Sequence, residues 1–181
     1  IVVQLPGICL RDTVFRDYYW AFLRESQENA VKNTHSNLCV TIDLGGDGNL
    51  HPANKLEVGE RLAQLALKNA YHKNTPSTYS YLKSFKVTNG KMMLTFSQII
   101  TQKDAEAFSG VTICGSDSIF KKAEISICGR RLTVSNPEIS NPIAVRYAWG
   151  GNPVALLFDI NNLPVCPFRT DNFGTKTDGS W

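Results

Sequence analysis

The chain has 181 residues, 43% of them hydrophobic and 10% aromatic, enough to bury at least one sizeable core and too apolar for a disordered tail. Its 19 lysines and arginines barely exceed its 16 aspartates and glutamates, and neither sign forms a run of five or more, which excludes the electrostatic footprint of a nucleic-acid-binding protein. No apolar stretch approaches the roughly 20 residues needed to span a bilayer.

In chain order, Ile1-Val2-Val3-Gln4-Leu5 is a short β-branched run, and it predicts a strand buried on both faces of a parallel sheet. It follows neither a charged leader nor a small-residue cleavage site. As a central strand it lacks a neighbour in this chain, so an upstream polypeptide is expected beside it. Tyr18 to Val31 carries Tyr19, Phe22, Leu23, Ala30 and Val31 between charges, an amphipathic helix whose apolar face is weak in the middle. Leu38 to Leu44 predicts a second strand ending in the turn Gly45-Gly46-Asp47-Gly48. Asn54 to Tyr71 is the clearest helix: Val58, Leu62, Leu65, Ala66 and Ala70 form one stripe, and Glu57, Arg61, Gln64 and Lys68 lie off it. Residues 1–75 thus read β-α-β-α, the closing part of a doubly wound α/β sheet.

Beyond residue 75 the helical period vanishes. Residues 82–88, 92–96, 111–115, 123–128, 131–135 and 143–149 predict short strands separated by Asn-Gly, Gly-Ser-Asp, Gly-Arg and Asn-Pro turns. Val87-Thr88-Asn89-Gly90-Lys91-Met92 is the strongest hairpin signal, because Asn-Gly accepts positive φ at both turn positions. Residues 76–181 therefore read as an antiparallel, β-sandwich-like domain.

The five cysteines, Cys9, Cys39, Cys114, Cys128 and Cys166, show no Cys-x-x-Cys pair or nearby histidine, which argues against a zinc site. Cys9 and Cys39 border apolar runs, as buried thiols do, and Cys114 and Cys128 could face each other across a hairpin.

His51 is the strongest candidate for chemistry. It stands in Asp47-Gly48-Asn49-Leu50-His51-Pro52, between the end of a parallel strand and the start of a helix, the edge of an α/β sheet where ligands bind. Pro52 stiffens the loop before the helix. The competing reading is a surface residue at a helix entry. A general-base histidine needs a carboxylate to orient its ring and stabilise the imidazolium; Asp47 is nearest, although Gly-Gly-Asp-Gly is also an ordinary tight turn, and Asp43 lies at the strand end. No serine sits in a nucleophile elbow: Gly115-Ser116-Asp117-Ser118 falls between two hairpin strands, and Gly-x-Ser-x-Gly is absent. His35 and His72 read as structural or solvated. Tyr147 and Trp149 lie on an apolar strand and read as core, or as a surface for stacking sugars.

Val3-Gln4-Leu5-Pro6, Leu23-Arg24-Glu25-Ser26-Gln27, Val40-Thr41-Ile42-Asp43-Leu44-Gly45, His51-Pro52 with Asn54-Lys55 and Val58-Gly59-Glu60-Arg61-Leu62, Ala144-Val145-Arg146-Tyr147-Ala148-Trp149, Leu163-Pro164 and Pro167-Phe168-Arg169-Thr170-Asp171 together resemble the carboxyl-terminal portion of the sialate O-acetylesterase family, within the SGNH/GDSL serine esterases. The resemblance implies an SGNH-hydrolase sheet and removal of acetyl groups from sugar hydroxyls, O-acetylated sialic acid first and acetyl-xylan second. It implies a serine acyl-enzyme route with no metal or cofactor, and work in a secreted, periplasmic or lysosomal setting. It assigns His51 as the catalytic histidine and puts the nucleophilic serine in an upstream segment with no counterpart here. In many such hydrolases the acid stands three residues before the histidine, where this chain has Gly48; Asp47 substitutes from one residue further back, or the pair works as a dyad. A noncatalytic carbohydrate-binding protein is the rival from another class.

Overall fold

The structure is a computed structural model that describes residues 1–8, 19–46, 48–76 and 79–174. Strands β1 (Val2–Val3) and β2 (Leu38–Cys39) pair in parallel, with the Val2 N–H donating to the Asn37 carbonyl at 2.8 Å and the Gln4 N–H to that of Cys39 at 2.9 Å. Helices α1 (Tyr19–Thr34) and α2 (Leu56–Asn69) follow them in the predicted β-α-β-α order. No described helix is long and apolar enough to cross a membrane.

The first strand departs from the sequence expectation of burial on both faces. Ile1 and Val3 are 56% and 43% exposed, whereas Gln4 is buried, because the period-2 alternation of a strand turns Ile1 and Val3 away from the core. The ladder of β2 is also shorter than Leu38 to Leu44. After Cys39 the chain turns, the Leu44 N–H donating to the Thr41 carbonyl at 3.0 Å, and the Thr41 hydroxyl donates to the Gln4 carbonyl at 2.5 Å. Val40 and Ile42 stay buried all the same.

Helix α1 corrects the reading of its own face. Its buried residues are Ala21, Arg24, Glu28 and Val31, at helical spacing, while Tyr19 and Leu23 are 56% and 50% exposed. The helix ends in a left-handed cap: His35 has φ 51°, and the Ser36 N–H closes onto the Val31 carbonyl at 3.1 Å.

The rest of the chain supplies ten strands: β3 (Leu82–Thr88), β4 (Lys91–Phe96), β5 (Ile100–Gln102), β6 (Val111–Cys114), β7 (Lys121–Lys122), β8 (Glu124–Cys128), β9 (Arg131–Ser135), β10 (Ala144–Tyr147), β11 (Leu157–Asp159) and β12 (Phe168–Arg169). They form antiparallel sheets in the orders β3-β4-β9-β8, β12-β10-β6-β7 and β11-β5. Asn89 and Gly90, with φ of 50° and 71°, make the tight β3–β4 turn that their sequence predicts. Gly129, at φ 59°, opens the two-residue β8–β9 turn.

The two four-stranded sheets share one buried cluster: Met92, Leu94, Phe96, Leu132 and Val134 from one, Val111, Ile113, Val145, Tyr147 and Phe168 from the other. Phe96 meets Phe168 edge to face at 5.5 Å. The same cluster takes in Val31, Leu38, Val40 and Ile42, so the helical segment and the sheets close over a continuous core. Tyr147 belongs to it, its hydroxyl wedged between the Leu157 N–H at 3.0 Å and the Leu157 carbonyl at 3.3 Å. Cys114 and Cys128 are not hairpin partners: β6 pairs with β7 and β10, β8 pairs with β9, and both thiols are free, Cys114 buried and Cys128 exposed.

Candidate functional site

Three segments meet beyond the carboxyl ends of β1 and β2: residues 5–8, residues 41–46 with 48–52, and the loop 150–154 from the antiparallel half. Two glycines lie where they meet. A side chain on Gly45 would collide with the backbone N, Cα and O of Gly7, and one on Gly7 would collide with Oδ1 of Asn152. At Gly45 the opposing atoms are backbone and cannot yield, so glycine there is what permits this approach.

Arg24 closes the arrangement from behind. It is 1% exposed, and its guanidinium donates to four carbonyls: Nε to Leu5 at 2.8 Å, Nη2 to Pro6 at 2.9 Å and Gly151 at 2.7 Å, and Nη1 to Gly150 at 2.6 Å. A planar fork of five N–H donors suits this task, and four carbonyl dipoles offset the cost of burying the charge. Gln27, one turn on, lays its amide along the outer edge of β1. Its Oε1 accepts from the Leu5 N–H at 2.9 Å, and its Nε2 donates to the Val3 carbonyl at 3.2 Å, the pattern a residue of a neighbouring parallel strand would make. Glu25 pairs with Arg169 of β12 through both oxygens, at 2.8 and 2.9 Å. Arg146 grips Asp171 in the same bidentate way at 2.9 Å for each bond. The charged residues of these sequence motifs thus fasten α1, the loops and the strand ends together.

His51 lies on the turn at this edge. It is exposed, and its backbone N–H donates to Oδ1 of Asn49 at 2.8 Å. Asp47 lies outside the described residues. Asp43 is committed elsewhere: Arg61 binds Oδ1 through Nη1 at 2.7 Å and Oδ2 through Nη2 at 2.6 Å, and Nη1 also donates to the Val40 carbonyl at 2.8 Å. Sequence placed Arg61 off the apolar stripe of α2; it turns inward to reach this carboxylate. His35 and His72 are exposed, with φ of 51° and 52°, and serve as turn residues. Tyr147 and Trp149 are buried, which makes them core.

Beside the turn opens a cleft of about 670 Å³ whose lining includes Asp43, Gly45, Asn54, Glu57, Lys103, Phe108, Asn152 and Phe158. Gly45 and Asn54 bracket the His51 loop; the His51 side chain itself is not part of the lining. The Lys103 ammonium sits 3.6 Å from the centre of the Phe158 ring. Sequence reading missed Lys103, Phe108 and Asn152, which reach the cleft by long-range folding. The one local signal was Gly150-Gly151 directly after an apolar strand, a place where backbone approaches backbone. Among the described residues no group of three or more His, Cys, Asp or Glu is placed to hold a metal ion.

No family model matches the chain, and no curated protein does. Among solved structures it is similar to XAC1771, a carbohydrate acetylesterase from Xanthomonas citri, with a TM-score of 0.85 and 34% identity over 94% of this chain. The chain spans 40% of the length of that protein. Its mixed architecture, with two helices described and several antiparallel sheets, therefore matches the fold of part of that protein.

Proposed function

We propose that this chain is part of a carbohydrate esterase that removes O-acetyl groups through a serine acyl-enzyme, and that it contributes His51 while a polypeptide outside this chain contributes the serine. The observation that supports this best is the likeness to a carbohydrate acetylesterase along 94% of the chain, with His51 on the turn beyond the parallel strand pair and beside the cleft. In this reading residues 1–75 close an SGNH-type sheet, residues 76–181 form the β-sandwich-like domain, and the enzyme works in a secreted, periplasmic or lysosomal setting.

His51 would take the serine proton as the oxygen attacks the acetyl carbonyl, and return it to the departing sugar hydroxyl. It would then draw a proton from water to release acetate. With both oxygens of Asp43 held by Arg61, the ring is oriented by Asp47 or by a backbone carbonyl in a Ser-His dyad.

For the sugar, O-acetylated sialic acid is the first reading, and Lys103 favours it as a cation lining the cleft that can face a carboxylate. A neutral acetylated polysaccharide such as acetyl-xylan is the second, favoured by Glu57 in the same lining. Acetate release from each substrate, measured on the enzyme with its serine-bearing polypeptide, separates the two. Fluorophosphonate labelling followed by intact-mass analysis tests the mechanism: the label is expected on the other polypeptide, and His51→Ala is expected to abolish both label and turnover. Full turnover by His51→Ala would remove His51 from the mechanism, and glycan binding without acetate release would make the protein a noncatalytic binder.

A further inference from the structure

We infer that Arg24 is a positioning residue for His51, acting through the backbone segments it gathers; the inference rests on the reading of His51 as the general base. The path from one residue to the other is continuous. The Gly151 carbonyl that accepts from Arg24 Nη2 at 2.7 Å also accepts from the Ile8 N–H at 3.2 Å. The Ile8 carbonyl in turn accepts from the Gly48 N–H at 2.7 Å. Gly48 lies inside the small turn closed by the Gly46–Asn49 bridge, and Asn49 Oδ1 caps the His51 N–H at 2.8 Å. A second route runs through Pro6, whose carbonyl accepts from Arg24 at 2.9 Å. The next residue, Gly7, is packed directly against Gly45, where the turn begins.

His51 is exposed, and among the described residues the Gly48 N–H to Ile8 carbonyl bond and the close approach of Gly45 to Gly7 tie its loop to residues 5–8. Those residues are held in turn by a buried guanidinium from a different helix and by the loop 150–152 of the antiparallel half. The sheets therefore set the place of the His51 turn, and Arg24 is the joint between them. Lysine could keep the charge but supplies one nitrogen in place of a planar fork, and it could not span carbonyls from two segments with the same geometry.

The test uses the enzyme with its serine-bearing polypeptide and p-nitrophenyl acetate as the probe. Arg24→Lys removes the joint, Asn49→Ala removes the last contact of the path, and Asn49→Asp keeps an acceptor oxygen there. Arg24→Lys and Asn49→Ala are each expected to lower kcat by about ten-fold or more, the scale of effect that ångström-sized misplacement of a reacting group produces. KM should hold within about two-fold, as for an interaction that acts at the transition state, and Asn49→Asp should recover most of the loss. The exposed site of Asn49 keeps this arm readable even if Arg24→Lys folds poorly. If Asn49→Ala and folded Arg24→Lys keep kcat while His51→Ala is dead, Arg24 is merely structural and the inference fails. An active His51→Ala overturns both this inference and the reading it rests on.

Discussion

Arg61 and Asp43 form a two-pronged ion pair, at 2.7 and 2.6 Å, that bridges the start of α2 and the end of the segment following β2. Both side chains are 12% exposed, so the pair is largely withdrawn from water, and its geometry rather than its charge alone holds α2 against the sheet.

Asp43→Asn should therefore act on stability and not on chemistry. It leaves a mostly buried guanidinium facing an amide, which should cost about 3 kcal/mol, the low end for breaking a buried pair. Urea denaturation reads that loss, while kcat of the folded enzyme should stay close to its original value. A large fall in kcat with the urea midpoint unmoved would instead make Asp43 the acid behind His51.

Gly45→Ala and Gly46→Ala form a sharper contrast, since the residues are adjacent. A Cβ on Gly45 meets the backbone of Gly7, which has no rotamer to yield, while one on Gly46 meets nothing within 4 Å. Gly45→Ala should destabilise by about 1–3 kcal/mol or more, as overpacking does, and should lower turnover by displacing the His51 turn. Gly46→Ala should leave both unchanged. Equal melting temperatures for the two variants would refute the close approach of residues 7 and 45.

The thiols carry a pH dependence with a defined sign. Burial pushes the Cys39 thiol up despite the nearby Arg61, pushes that of Cys114 up to about 11, and pushes that of Cys166 well above its ordinary value. The folded chain keeps protons that the unfolded chain releases, so the stability these groups give is whole below pH 9.0 and, for Cys114, is lost as pH rises toward about 11. Melting temperature should fall across that window, and Cys114→Ala should flatten the fall; an unchanged slope would refute the assignment. At pH 8 iodoacetamide should modify exposed Cys128 and spare Cys39, Cys114 and Cys166, which peptide mass mapping can read directly.

What could be read in the sequence follows from where the relevant contacts lie along the chain. The Asn89-Gly90 hairpin and the order of strands and helices up to residue 75 are written in neighbouring residues, and the structure has them. The face of α1 was not legible, because its middle turns inward on Arg24 and Glu28, and polar residues at core spacing look like a solvated face until their distant partners are known. Strands β5, β7, β11 and β12 have two or three residues each, too few to show alternation. The loop position of His51 could be read locally; the cleft beside it could not, since Lys103, Phe108 and Asn152 come from the antiparallel half.

The fastening of α1 to the last strand also bears on how the chain is made. Glu25 and Arg169 are 144 residues apart, and Gln4 and Cys166 are 162 apart. A ribosome adding roughly 5–20 residues per second leaves an interval on the order of ten seconds between the helix and its partner. For most of that interval Arg24 has neither Gly150 nor Gly151 to hold, and the buried face of α1 stands in water. The β3–β4 hairpin can form as it emerges, but the first helix must wait until residues 150–169 have been made. The early segments thus depend on being kept from other partners until β12 arrives.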